Sequence, residues 1–136
     1  MFGLQRVSRS SFAVLAIVTL VGAAIVVASA QAGRQAAQAS VTVLSPKARS
    51  SIAGTTVVLR LRTSGFRITD QATTIRRGEG HFHVFLDKRP FVAVYGLKFV
   101  FRGQKAGAHV LRVEPVNSGH MPAAGLKPIT VRFRTT

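Results

Sequence analysis

From Val41 onward the apolar residues of this chain recur at every second position in short runs, and no stretch repeats them at helical spacing. A period of two matches the alternating faces of a β-strand, whereas a core-facing helix needs apolar residues three and four apart. "TTVVLRLRTSGF", residues 55 to 66, sets Val57, Leu59 and Leu61 on one face and Val58, Arg60 and Arg62 on the other. "HFHVFLD" sets Phe82, Val84 and Leu86 against His81, His83 and Phe85. "AHVLRVEPV" turns Leu111 and Val113 inward, and "KPITVRFRTT" does the same with Ile129, Val131 and Phe133. "VTVLSP", which Pro46 ends as an edge strand, "FVAVY", and "LKFVFR" with Leu97, Phe99 and Phe101 sharing a face complete a set of about seven strands. Regularly spaced turn signals between them predict an all-β antiparallel sandwich over residues 41–136.

The first thirty residues follow a different rule. Ser10 to Gly33 carries no charge, Arg6 and Arg9 precede the apolar run from Phe12 to Val27, and Ala28-Ser29-Ala30 supplies the small-x-small pattern of a signal-peptidase site. The run is also nearly as long as the roughly 20 residues a bilayer-spanning helix needs. Residues 1–30 are therefore expected to be a signal peptide or an uncleaved hydrophobic anchor helix, with 31–40 as a small-residue linker. Either way the sandwich is placed outside the cytoplasm, membrane-anchored or secreted. The chain has no cysteine, which excludes lipid attachment at a lipobox, disulfides and thiolate metal sites.

The net charge is +15, from 19 Lys and Arg against 4 Asp and Glu. Many of the arginines alternate with apolar strand residues, as on a solvated sheet face. For an exported protein the partners that fit such a charge are anionic envelope components, lipid head groups or cell-wall polymers, and no nucleic acid is expected.

"GEGHFHVFLD", "GAHVLRVEPV" and "GHMP" occur in that order. Together they resemble a group of uncharacterised bacterial extracytoplasmic immunoglobulin-like β-sandwich domains. These carry Gly-x-Gly-His-x-His-Val ending in Asp, then Gly-x-His-x-Leu, then His-x-Pro, and the likeness covers most of residues 41–136. The resemblance implies an immunoglobulin-like sandwich in which the histidines matter, and it supplies no chemistry. The group usually has an acidic residue shortly before the last histidine, where this chain has Asn117-Ser118-Gly119.

Residues i and i+2 of a strand project from one face about 6.5 to 7 Å apart, so His81 and His83 can both reach a single ion. If their run is the third strand of such a sandwich, the loop after "VEPV" meets its start at one end, bringing His120 close. His109 opens the antiparallel neighbour and belongs beside Asp87 at the far end. The expected metal ligands are therefore His81, His83 and His120, with Met121 and Glu79 as further candidates. Three imidazoles without thiolates suit Cu(II) or Zn(II), and an adjacent thioether favours copper. The competing reading has the same histidines hydrogen-bonding loop carbonyls and tying the loops together.

"HFHV" is also similar to the His-x-His strand of copper-zinc superoxide dismutase, but the further ligands, zinc loop and cysteines of that enzyme are absent. No Gly-x-Ser-x-Gly context occurs, and the acidic residues are only Asp70, Glu79, Asp87 and Glu114. The expectation is a non-enzymatic interaction or structural module of the cell envelope, with a histidine-based copper or zinc module as the alternative. A reporter fused after Thr136 should be active if it requires export and silent if it requires the cytoplasm; the opposite pattern would overturn the topology.

Overall fold

The computed structural model describes residues 38–69 and 74–136. The expected signal or anchor segment, most of the linker and Asp70 lie outside the described residues. Every regular element among the described residues is a strand: β1 (Ser40–Ser45), β2 (Ser51–Ile52), β3 (Val57–Ser64), β4 (Arg67–Ile68), β5 (Glu79–Leu86), β6 (Val92–Val94), β7 (Lys98–Phe101), β8 (Gly107–Val116) and β9 (Ile129–Thr135). Seven are the strands the alternation predicts. β2 and β4 lie outside the alternating runs, since two residues are too few to display a period; each forms by lying parallel to one end of a longer strand, β2 on β9 and β4 on β5.

The strands make two sheets, one in the order β1-β3-β7 and the other β2-β9-β8-β5-β4, with β6 also on β5. Apart from the two short parallel pairs, all pairings are antiparallel. Val57, Leu59 and Leu61 of β3 and Phe101 of β7 pack in one core with Phe82, Val84 and Leu86 of β5, Leu111 and Val113 of β8, and Val131 and Phe133 of β9. Each such side chain, fully buried, contributes about 1.5–3 kcal/mol, and with no disulfide to assist, this packing carries the fold. Leu97 departs from the pattern. It precedes β7 and its side chain is 46% exposed, although its carbonyl accepts the Leu61 N–H at 2.8 Å.

The register that matters most is β5 on β8, which pairs His81 with Val116 at one end and Leu86 with Leu111 at the other. Gly80 stands where β5 enters this pairing. A Cβ there would lie 1.8 Å from the Val116 carbonyl oxygen, with further backbone atoms of Val116 and Asn117 inside 3 Å. Only glycine lets the two strands close. Gly80→Ala should therefore destabilise the protein by about 3 kcal/mol or more, beyond ordinary overpacking, whereas Gly96→Ala, where the nearest atom is 3.9 Å away, should be nearly neutral. Denaturant titration of the two variants checks the contrast.

Candidate metal centre

A strand at the surface of a two-layer fold ordinarily buries one face, but β5 buries both. Phe82, Val84 and Leu86 fill the core, and on the opposite face His81 and His83 are only 2% and 8% exposed. The cover on one side comes from β6, whose register sets Val94 opposite Phe82, Ala93 opposite His83 and Val92 opposite Val84. Continuing that register puts Tyr95 beside His81 and Phe91 beside Phe85. The Tyr95 ring lies 4.6 Å from that of His81, and Phe91 stacks on His83 with centroids 4.0 Å apart and planes 16° apart. Ala93, directly opposite His83, is small enough to leave the rings room. On the other side His83 faces Glu114 of β8, whose carboxylate accepts from Arg112 at 3.0 Å.

His120 arrives from a tight turn after β8, closed by a bridge between Val116 and Pro122. The Asn117 N–H donates to the Met121 carbonyl at 2.8 Å, and the His120 N–H donates to the Asn117 carbonyl at 2.9 Å. The Asn117 side-chain oxygen accepts from the N–H groups of Gly119 and Met121 at 2.9 and 3.1 Å. Asn117 thus holds the turn together instead of contributing a negative ligand. His120 itself sits at φ 61°, a left-handed conformation that costs a non-glycine residue about 1–2 kcal/mol. The turn accepts that strain and aims the ring back over β5.

The three imidazoles converge. His83 Nε2 lies 3.3 Å from His81 Nε2 and 3.0 Å from His120 Nδ1, and the three ligand atoms all lie within 4.8 Å of one another. A neutral ring nitrogen offers either one proton or one lone pair. The central nitrogen of His83 can therefore complete one good hydrogen bond, and the other contact is left poorly satisfied. A cation takes all three lone pairs at once. Two imidazole nitrogens bound tetrahedrally to one ion at about 2.0–2.1 Å stand roughly 3.3 Å apart, the spacing already present along His81–His83–His120. Burial, and then the neighbouring His120 and His83 rings, hold the His81 imidazole below its ordinary pKa; burial and His120 lower that of His83, opposed by the Glu114 carboxylate. Both effects disfavour protonation of His81 and His83.

The other candidates fall outside this cluster. Glu79 pairs with Arg67 at 2.8 Å and is not among the converging ligand atoms. Met121 follows His120 but its side chain is 62% exposed. His109 lies beside Asp87, bonding its Oδ2 through Nδ1 at 2.8 Å. Its Nε2 lies 2.8 Å from the Lys105 carbonyl and 3.0 Å from the Thr135 hydroxyl. Aspartate, histidine and hydroxyl in a row suggest a nucleophile, yet Thr135 donates its own proton to the Lys105 carbonyl at 2.7 Å and is only 2% exposed. This group ties the ends of β5, β8 and β9 together. Phe91, Tyr95 and Glu114 were not singled out from the sequence. The alternation of Phe91, Ala93 and Tyr95 carries a signal, but only the β5–β6 pairing tells which face they share.

No protein-family model matches this chain, and no curated protein matches it. Among solved structures it is similar to an engineered protein determined by a structural genomics consortium at 1.98 Å, with TM-score 0.50 and 12% identity. The likeness covers 73% of this chain and only 20% of that one, so the chain spans about a fifth of the matched protein's length. At this identity the likeness concerns the fold alone.

The lowered pKa values of His81 and His83 set a sign for pH dependence. On acidification the unfolded chain takes up protons at these positions first, near its ordinary value of about 6.5, so folding is disfavoured from there down to the folded-state values. Asp87 works at lower pH. Burial raises its pKa, but the His109 hydrogen bond, the Val110 N–H and the charges of His109 and Arg89 together bring it below the usual carboxylate value, and the stability this provides is lost as the pH falls through the folded value. In the presence of a chelator, stability should be level above about pH 6.5 and decline below it. His83→Phe should flatten the first decline and Asp87→Asn the more acidic one; an unchanged profile in His83→Phe would contradict the assignment.

Proposed function

We propose that this chain is an extracytoplasmic, non-enzymatic β-sandwich module of immunoglobulin-like type whose three-histidine centre holds a transition-metal ion, copper before zinc. The observation that carries the reading is the convergence of three imidazole nitrogens, with contacts of 3.0 and 3.3 Å, on a face of β5 that is otherwise packed with aromatic rings. Support for the immunoglobulin-like assignment comes from the sheet orders. Naming β1, β3, β5, β6, β7, β8 and β9 as A, B, C, C′, E, F and G gives A-B-E facing G-F-C-C′. Copper is placed before zinc because an all-imidazole donor set without thiolates binds Cu(II) more tightly than Zn(II) in the Irving–Williams order. The extracytoplasmic location rests on the charge-free N-terminal run. A non-enzymatic role accords with the three described side-chain carboxylates, each already engaged: Glu79 by Arg67, Asp87 by the His109 ring and Arg89, and Glu114 by Arg112. The role is metal handling or buffering outside the cytoplasm.

A second reading, an interaction module in which the histidines only tie β5 to the 117–121 turn, draws support from the exposed apolar rim of the centre. Phe91, Tyr95 and Met121 are 46%, 46% and 62% exposed, as at a protein contact. The two readings part on metal affinity. Titration of the purified full chain with Cu(II) and Zn(II) should show one saturable site. His83→Ala and His120→Ala should each weaken it by about tenfold or more, or 1.4 kcal/mol, while His109→Ala should leave affinity unchanged and lower the melting temperature. A wild-type chain that binds neither ion would leave the interaction module as the better reading.

A further inference from the structure

Three arginines meet on the outer face of the β8–β9 sheet, away from the histidine centre. Arg132 and Arg134 alternate with the buried Val131 and Phe133, so both project outward from β9. Arg49 reaches the same face from the segment between β1 and β2. Its N–H donates to the Arg132 carbonyl at 2.7 Å, and the Arg134 N–H donates to the Ser50 carbonyl at 2.9 Å. These bonds hold Arg49 at φ 61°, a conformation that costs a non-glycine residue about 1–2 kcal/mol. Strain of this kind persists where surrounding structure enforces it, and it clusters at ligand sites. The three side chains line a groove of about 320 Å³ with Ala108 and Val110. Ala108, paired with Arg134 across the strands, contributes only a methyl group and so leaves the groove open.

Among the described residues the side-chain carboxylates are all paired elsewhere, with Arg67, Arg89, His109 and Arg112. His109 also borders the groove, but its ring nitrogens are turned to Asp87, Lys105 and Thr135. Arg49, Arg132 and Arg134 thus line a groove that has no carboxylate among its lining residues. Guanidinium forks match phosphate oxygens in pairs, which a diffuse lysine surface does not do. We infer that this groove is a binding site for phosphate groups, either free oligophosphate or the phosphodiester of an anionic lipid head group, built by Arg49, Arg132 and Arg134 independently of the metal centre.

Calorimetric titration of the full chain with pyrophosphate and with soluble dihexanoyl phosphatidylglycerol tests this. The comparison is between two charge-matched double variants, R132Q/R134Q and R60Q/R62Q, the latter on exposed positions of β3 in the other sheet. Saturable binding is expected, weakened about tenfold or more in R132Q/R134Q and in R49Q but less than about twofold in R60Q/R62Q. Ala108→Leu, which keeps every charge and fills the groove, should weaken it comparably. Binding of pyrophosphate alone supports a free-phosphate ligand, and binding of both probes with the same variant dependence supports a head group. Equal losses in the two double variants, full affinity in Ala108→Leu, or no saturable binding of either probe would overturn the proposal.

Discussion

The antiparallel pairing of β5 with β8 is fixed at both ends by contacts that a slipped register would destroy. At one end the missing side chain of Gly80 lets the strand lie against the Val116 carbonyl. At the other, Asp87 donates its N–H to the Val110 carbonyl at 2.8 Å and accepts the Val110 N–H at 2.9 Å. Because strand faces alternate, a shift of one residue would turn Phe82, Val84 and Leu86 out of the core and drive two imidazoles into it. Hydrophobic burial and the polar end contacts therefore specify the same alignment.

The histidine centre follows from that alignment. β8 ends in the turn that carries His120, so the register of β8 on β5 decides whether the third ring arrives over the first two. β6 supplies Phe91 and Tyr95 on the other flank, where their rings exclude water from His81 and His83. Three imidazoles placed so close repel one another's protonated forms, and burial adds to that effect. By themselves the three nitrogens share less hydrogen bonding than they need. A cation held among them would resolve both problems.

Among the described residues, the non-glycine residues with positive φ are Arg49, Asp87 and His120. Each stands at one of the polar constructions of the molecule: the arginine groove, the Asp87–His109 tie and the histidine centre. A backbone that adopts an unfavourable conformation at these points, and keeps ordinary strand geometry between them, places polar side chains where a relaxed turn would not. The Asp87–His109 tie accounts for its own strain through folding, since it joins β5, β8 and β9. The other two present side chains to solvent-accessible space.

The strand content, the seven principal strands and most of the core were legible because a period of two in apolar residues can be read locally. Val57, Leu59, Phe82, Val84, Leu111, Val113 and Phe133 are buried as their parity requires. The separation of His109 from the other histidines was legible too, through strand direction alone. The two-residue strands, the burial of the second face of β5 and the roles of Phe91, Tyr95 and Glu114 were not, because they depend on which strands become neighbours. The arginines show the same division. The sequence by itself determined that Arg132 and Arg134 face outward, since that follows from alternation with Val131 and Phe133. The approach of His120 to His81 and His83 was expected from the strand order of an immunoglobulin-like sandwich and is met, whereas only the tertiary structure brought Arg49 to Arg132 and Arg134, because the turn that carries it is held by hydrogen bonds to β9, far away in the chain.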